Sequence, residues 1–233
     1  VFEMDERSTI HIFKYITPTY LVCNNLSRDS LKRNAHTAFI AGIINNAIPK
    51  DTTVITNGDD PICVNLASEN KKIYFGIDRL DTDTEKCENI VQDMVLCPKC
   101  GTKLEYEYYR YHHVGKMKCP NCGFGTPKRD YETTKIDFEN KLVTIKDNDK
   151  NTEYSYSMVA DGIINIYNML SAIVALKQVG LSDEKINDAL KKTKIVDTRF
   201  LQDEVAGKKI VLHLAKGQNP IACSRVFDYV RKQ

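Results

Sequence analysis

Four cysteines have the spacing of a metal site. They form two C-x2-C pairs, each reading Cys-Pro-x-Cys-Gly, with 18 residues between the pairs: Cys97 and Cys100, then Cys119 and Cys122. A gap of two residues lets both thiolates of a pair face one ion, and the following glycine permits the necessary turn. Four thiolates complete a tetrahedron around zinc and exclude water, so the sequence predicts a structural Zn²⁺ site in a small ribbon.

Two other interpretations of this region remain. The pairs could be redox-active C-x-x-C motifs, although a redox pair rarely occurs twice in one knuckle format. His112 and His113 lie between the pairs. With four cysteines already available, we expect both histidines to be exposed loop residues rather than ligands.

Four polar segments outside the ribbon could also carry chemistry. They comprise residues 3–6 (EMDE), residues 25–29 (NLSRD), residues 57–61 (NGDDP) and residues 165–168 (NIYN). Two of them follow predicted strands, and the carboxyl ends of parallel strands face the ligand crevice of an α/β sheet. Taken singly, each has a structural interpretation, as an acidic turn or as a polar group on a helix face.

The elements that would position these residues indicate an α/β fold. Strands and helices alternate up to about Met94, which is typical of a parallel sheet with crossover helices. An antiparallel hairpin and two helices follow the ribbon. The predicted strands are 19–24, 52–56, 72–77, 134–146, 152–158 and 209–214, and the predicted helices are 31–48, 162–178, one capped by Ser182 and one from about Ile221.

Composition narrows the class of protein. The chain has 233 residues and a net charge of +2, which demands neither a nucleic acid nor a charged membrane as partner. No apolar run approaches the roughly 20 residues of a membrane span, and no signal peptide opens the chain. The scattered Cys23, Cys63, Cys87 and Cys223 are expected to be buried or half-buried thiols. A reducing, cytoplasmic location is therefore expected.

The ribbon and the four polar segments together resemble the Mur ligase superfamily, and most closely the MurT-type family. That family has a four-cysteine ribbon inserted in the central ligase domain. The resemblance implies a parallel-sheet central domain over residues 1–196, with the ribbon at 94–127, and the start of a C-terminal α/β domain over 197–233.

The same resemblance implies an activity in peptidoglycan synthesis in the cytoplasm of a bacterium. Such an enzyme binds ATP and Mg²⁺ and phosphorylates the α-carboxyl of D-glutamate in the lipid II stem peptide at the inner membrane face. A GatD-type glutamine amidotransferase supplies ammonia, which yields isoglutamine. The matched positions are Glu3 on the metal side, Asn165 and Asn168 near adenine, Arg199 near the phosphates, Lys216 after the first C-terminal strand, and Asn25 with a less defined role.

Two departures from the family pattern bear on activity. Many Mur ligases have Asp-His where this chain has Asp29-Ser30, and serine is a poorer metal ligand. No G-x-x-x-x-G-K-[ST] loop occurs, although this loop cradles ATP phosphates. The chain also begins at Val1 rather than Met. We therefore expect a fragment or truncated product that is inactive alone.

Two alternative functions remain at this stage. One is a non-catalytic zinc-ribbon module that binds protein or nucleic acid through a basic and aromatic surface. That surface would comprise Arg110, Lys116, Lys118, Lys128 and Arg129 with the tyrosines at 106, 108, 109 and 111. The other is a Mur ligase that adds an amino acid rather than ammonia.

Overall fold

A six-stranded sheet forms the centre of the protein, in a computed structural model that describes residues 1–28, 36–89, 91–194, 200–213, 223–224 and 226–227. The strand order is β1-β2-β3-β6-β7-β8. Strands β1, β2, β3 and β6 run parallel, and β7 and β8 extend the sheet antiparallel. The strands are β1 Tyr20–Cys23, β2 Thr53–Asn57, β3 Lys72–Ile77, β6 Tyr131–Asp137, β7 Leu142–Asp147 and β8 Thr152–Ser157.

Helices cover both faces of this sheet. Beyond a short 3-10 turn at Glu6–Ser8, they are α1 Thr9–Ile12, α2 Thr37–Ala47, α3 Pro61–Asn65, α4 Ile163–Gln178 and α5 Asp183–Lys192. Successive strand residues point to opposite faces. Val54 of β2 accordingly packs with α2 and α3, whereas the adjacent Ile55 packs with α4. The predicted α/β architecture, with a largely parallel sheet and crossover helices, is confirmed.

The antiparallel half of the sheet differs in detail from the prediction. Residues 134–146, predicted as one strand, divide into the end of β6 and most of β7. The chain turns at residues 138–141, where Lys141 takes a φ of 56° and Asp137 accepts a hydrogen bond from the backbone N–H of Asn140. The turn contains neither glycine nor proline, which is why the pattern concealed it.

The cysteine-rich segment is the connection between two parallel neighbours, β3 and β6. It contains the antiparallel hairpin β4 Glu105–Tyr111 and β5 Val114–Lys118. Parallel strands need a crossover, usually a helix, and here the ribbon serves instead. Its apolar core includes Val64 of α3 and Tyr74 of β3. The ribbon and the sheet therefore share this core.

A separate hairpin follows the last helix of the sheet. It consists of β9 Phe200–Val205 and β10 Lys208–His213. The sequence predicted β10 but not β9. Most of the helix predicted from Ile221 lies outside the described residues. Within the part of the chain that the structure describes, every helix is too short or too polar to cross a membrane.

Candidate metal centre and the polar edge of the sheet

The four predicted cysteines meet at the open end of the ribbon hairpin. Their Sγ atoms all lie within 4.8 Å of one another, and the Cys97–Cys122 and Cys100–Cys119 sulfurs are 3.5 Å apart. Zinc–sulfur bonds of about 2.3 Å place tetrahedral sulfurs about 3.8 Å apart, so a small contraction or expansion of this cluster accommodates the ion. The donor set therefore fits one closed tetrahedral metal site.

Both knuckles have the same backbone geometry. Gly101 N–H donates to the Cys97 carbonyl at 2.9 Å, and Gly123 N–H donates to the Cys119 carbonyl at 3.1 Å. Both glycines have a φ of 73°, which lies in the left-handed region that side chains disfavour. The glycine after each C-x2-C pair is thus needed for the turn, as the sequence predicted.

The two histidines of the ribbon are buried, so the prediction that they are exposed is wrong. His112 forms the tight turn of the hairpin, and its Nδ1 lies 2.7 Å from the Val91 carbonyl oxygen. His113 Nε2 lies 3.3 Å from a carboxylate oxygen of Asp60. The closed end of the hairpin packs onto the sheet, a tertiary contact that a sequence pattern does not reveal.

A buried carboxylate receives this closed end. Asp59, in the turn after β2, is fully buried. Its Oδ2 accepts hydrogen bonds from Tyr167 at 2.6 Å, Arg110 at 3.1 Å and the Ile77 backbone N–H at 2.9 Å. Its Oδ1 accepts two from Arg129, at 2.6 and 3.0 Å. We call Asp59, Arg110, Arg129 and Tyr167 the arginine cluster.

The electrostatics of this cluster favour its charged form. Burial would lower the pKa of Arg110, but Tyr167, Asp59 and Asp83 outweigh it and raise that pKa above its ordinary value. Burial also raises the pKa of Tyr167 well above its usual range, so the hydroxyl remains a donor. The two arginines therefore stay charged against Asp59 and Asp83.

A glycine makes room for the second arginine. A Cβ added to Gly76 of β3 would lie 2.3 Å from Arg129 Nε and 2.7 Å from Asp59 Oδ1. Any larger residue would push the guanidinium off the carboxylate. Arg129 also bonds Glu132 at 2.7 Å, which fixes it from the other side.

The arginine cluster removes two cations from the proposed nucleic-acid surface. The side chains of Arg110 and Arg129 are 2% and 8% exposed, and both bind carboxylates within the protein. Tyr108 is buried too, while Tyr106 and Tyr109 stack on each other at 4.0 Å. The predicted surface of five cations and four tyrosines does not form as such.

The turn after β2 is structural as well. Asp60 accepts hydrogen bonds from the backbone N–H groups of Ile62 and Cys63, which caps α3, and from that of Leu26. Burial raises the pKa of Asp60, but His113 and these backbone hydrogen bonds outweigh it and hold that pKa below the ordinary value. The acidic pair of the 57–61 segment thus satisfies internal groups rather than facing a crevice.

The helix asparagines lie beside the end of β1. Asn168, exposed on α4, accepts a hydrogen bond from the Nδ2 of Asn24 at 2.6 Å. The Oδ1 of Asn24 is buried and has no hydrogen-bond partner among the described residues. The Nδ2 of Asn165 donates to the Asp161 carbonyl at 2.6 Å, at the start of the same helix. The structure thus brings the fourth polar segment to Asn24, which lies one position before the second segment.

Of the remaining predicted residues, the structure describes Asn25 and Glu3 and joins neither of them to this contact by a hydrogen bond. Asn25 follows Asn24 and is exposed. Glu3 is exposed before the 3-10 turn, in a segment that packs on α2 through Arg7 over the Phe39 ring, 5.6 Å from its centre. Arg199 and Lys216 lie outside the described residues.

The four scattered cysteines are half-buried or buried, as predicted. Cys23 and Cys63 lie side by side, with sulfurs 3.6 Å apart. Burial raises the pKa of the Cys63 thiol well above its usual value, and Cys23 and Asp60 add to the effect. Cys63 is therefore an unreactive core thiol.

The chain is similar to curated subunits of one enzyme. It is 29% identical over 236 aligned positions to the lipid II isoglutaminyl synthase (glutamine-hydrolyzing) subunit MurT of Streptococcus pneumoniae, which covers 99% of this chain and 51% of that protein. It is 27% identical to the MurT subunit of Staphylococcus aureus over 93% of this chain and 48% of that one. The chain therefore spans about half the length of these relatives, and no protein-family profile matches it.

Solved structures show the same fold. A pseudomurein peptide ligase type C from Methanothermus fervidus superposes with a TM-score of 0.70 and 26% identity, over 91% of this chain and 41% of that one. MurF from Acinetobacter baumannii gives 0.60 and 13% identity over 97% and 40%, a likeness of fold alone. The predicted resemblance to MurT-type Mur ligases and their fold is confirmed.

Proposed function

We propose, on the basis of the resemblance to the MurT-type Mur ligases, that this chain is the central part of a ligase subunit. That subunit would amidate lipid II in peptidoglycan synthesis. The complete enzyme would bind ATP and Mg²⁺ and phosphorylate the D-glutamate α-carboxyl of the stem peptide. Ammonia from a GatD-type glutamine amidotransferase would then attack the acyl phosphate and release phosphate, leaving isoglutamine. The ligase would thus act in building the cell wall.

The chemistry calls for positioning more than for a nucleophilic side chain. A carboxylate is a poor electrophile, and a phosphoryl group supplies the leaving group that ammonia requires. Catalysis of such a transfer rests on orientation and on neutralising phosphate charge. Asparagine amides and a few charged side chains at the edge of a parallel sheet suit this task.

One observation carries the proposal: the contact between Asn24 and Asn168 at the carboxyl edge of the sheet. It supports a nucleotide site there, with Asn165 and Asn168 facing adenine and Asn25 close by. Among the described residues the buried Oδ1 of Asn24 has no hydrogen-bond partner, so it is a ready acceptor for the adenine amino group. An acceptor buried without a partner is costly, so a ligand donor would relieve it.

We assign the other ligands by resemblance. Glu3 would hold Mg²⁺, which needs only one or two carboxylates beside water and phosphate oxygens. Arg199 and Lys216 would reach the phosphates. Zn²⁺ would occupy the four cysteines in a structural role, within a central domain over 1–196 whose ribbon covers 94–127, followed at 197–233 by the start of a C-terminal domain.

Nucleotide binding is the first test. The protein encoded by the longest reading frame that contains these residues is purified. Its affinity for ATP is measured by calorimetry in the presence of Mg²⁺. Asn168→Ala should weaken binding about tenfold, because it removes one hydrogen-bonding amide from the base. Asn46→Ala is the matched control, since Asn46 is exposed near the end of α2, at the opposite edge of the sheet.

Product formation is the second test. The same protein is mixed with a GatD-type glutamine amidotransferase, lipid II, ATP and glutamine, and the stem peptide is analysed by mass spectrometry. Amidation lowers the mass of the lipid product by about one unit. ATP binding without isoglutamine would favour the other ligase hypothesis, in which an amino acid is added, and loss of both would refute the proposal.

A further inference from the structure

The closed end of the ribbon meets the helix that carries the asparagines. Tyr167, whose hydroxyl lies 2.6 Å from Arg110 Nη1, is the residue before Asn168 on α4. Tyr167 is fully buried and points into the arginine cluster, while Asn168 points to the polar edge of the sheet. A shift of Tyr167 would therefore move Asn168 with it.

Nearly every N–H donor of the Arg110 guanidinium has an acceptor at this junction. It forms a two-pronged pair with Asp83, at 3.0 and 2.8 Å. It also donates to the carbonyls of Ile77 and Asp78, at 3.1 and 2.8 Å. One side chain of the ribbon thus ties together the loop after β3, the turn after β2 and α4.

The backbone of the ribbon reaches the same turn. Gly115 N–H of β5 donates to the Asp59 carbonyl at 2.9 Å. Gly115 pairs with Tyr109 in the hairpin, so both strands of the ribbon contact the region around Asp59. The attachment is therefore made by the hairpin as a unit rather than by one flexible side chain.

The metal centre lies at the other end of that unit. Cys97 and Cys100 precede β4, and β5 ends at Lys118, immediately before Cys119. An ion bound by the four sulfurs closes the open end of the hairpin. Metal sites of this type couple binding to folding, because the ligands are held together by the ion.

We propose that the metal-loaded ribbon positions the first half of α4 through Arg110, so that metal occupancy determines the order of Tyr167 and Asn168. Arg110 is a positioning residue that acts through Tyr167 rather than on a substrate. The inference rests on metal binding by the ribbon but not on the proposed ligase activity, since its readout is backbone order.

The test is hydrogen–deuterium exchange of the full chain with and without a metal chelator, after native mass spectrometry has established the metal content. In the wild type, metal removal should speed exchange at least about tenfold in residues 95–127 and in residues 163–170. Exchange in α5, at residues 183–192, should be unchanged.

An arginine variant separates coupling from simple loss of the ribbon. In metal-loaded Arg110→Met, residues 163–170 should already exchange about tenfold faster, and the chelator should add no further increase there. Lys116→Met is the control, because Lys116 is an exposed cation on the same hairpin. It should behave like the wild type in both states.

Tyr167→Phe provides a milder variant in case Arg110→Met fails to fold. It removes only the hydroxyl and should give an intermediate rise in residues 163–170 with unchanged circular dichroism. Three outcomes would overturn the proposal: chelation that affects the ribbon alone, variants that leave 163–170 as protected as in the wild type, or an equal rise in α5. A chain purified from zinc-supplemented cells with no bound metal would overturn it as well.

Discussion

The ribbon hairpin is fixed at both of its ends, and the two attachments differ in kind. At the open end, four thiols depend on an ion from outside, and two of them, Cys100 and Cys122, are exposed. At the closed end, Arg110 binds the buried Asp59 and Asp83, and Arg129, just after the ribbon, binds the same Asp59. The first attachment can be reversed by a change of solution, whereas the second needs no ligand from outside the chain. Four experiments bear on this comparison.

Breaking the attachment at the open end of the hairpin should have the largest effect on the ribbon. Cys119→Ser should bind little or no metal and leave the ribbon unfolded, because structural zinc sites contribute on the order of 10–16 kcal/mol in isolated zinc-finger peptides. Near-ultraviolet circular dichroism of the ribbon tyrosines and native mass spectrometry measure this. Cys87→Ser alters a half-buried thiol outside the metal centre and should retain the ion. Equal metal content in the two variants would contradict the assignment.

Breaking the attachment at the closed end of the hairpin should have the second largest effect. Asp59→Asn should lower the free energy of unfolding by about 3–5 kcal/mol, because it leaves two buried guanidinium groups without their shared carboxylate. Urea denaturation measures the difference. The matched control is Asp161→Asn, which breaks an exposed ion pair with Lys141 and should cost less than about 1 kcal/mol. Similar losses in the two variants would show that the cluster adds little.

The neighbouring Asp60 should give a smaller effect that depends on pH. Asp60→Asn should cost about 1–3 kcal/mol at neutral pH, since it weakens three buried hydrogen bonds. The folded pKa of Asp60 lies below its ordinary value of 3.8. Its stabilisation is therefore complete above that value and is lost as the pH falls through the folded pKa. The gap between wild type and variant should shrink below about pH 4 in urea titrations, and a constant gap would argue against this role.

The outward face of the ribbon should matter least. Lys116 and Glu107 form a half-exposed ion pair at 2.8 Å between β5 and β4. Lys116→Met should change the free energy of unfolding by less than about 1 kcal/mol, and high salt should remove the difference. A larger loss would mean that the ribbon is held together by its surface as well as by its ends.

The local patterns could be predicted from the sequence, and the long-range ones could not. The cysteine knuckles, the buried β2 and α4 all follow from spacing and apolar periodicity within a few residues. Arg110 and Asp59 lie 51 positions apart, and each looks like an ordinary surface charge in its own segment. A weak signal for the burial of Arg110 existed, since Arg110 lies two positions after Tyr108 in the same strand. The two side chains therefore share a face, and Tyr108 is buried.

The site residues divide along the same line. Asn165 and Asn168 were assigned by resemblance to the family, and the structure brings their helix, α4, to the end of β1. Their role at adenine stays a prediction. Asn24, rather than Asn25, makes the contact, because the last turn of the chain after β1 decides which amide faces the helix. The burial of His112 and His113 could not be predicted, because it depends on the docking of the hairpin tip on the sheet.

The role of the ribbon as the link between β3 and β6 has a kinetic consequence. Phe75 pairs with Tyr131 only after the whole ribbon segment has been brought back to the sheet, and the entropy of closing so long a loop is repaid late. We expect refolding to be slow without zinc, because the first three strands form before β6 can pair with β3. Zinc added during refolding would shorten the effective loop and act as a folding catalyst for a contact that it never touches.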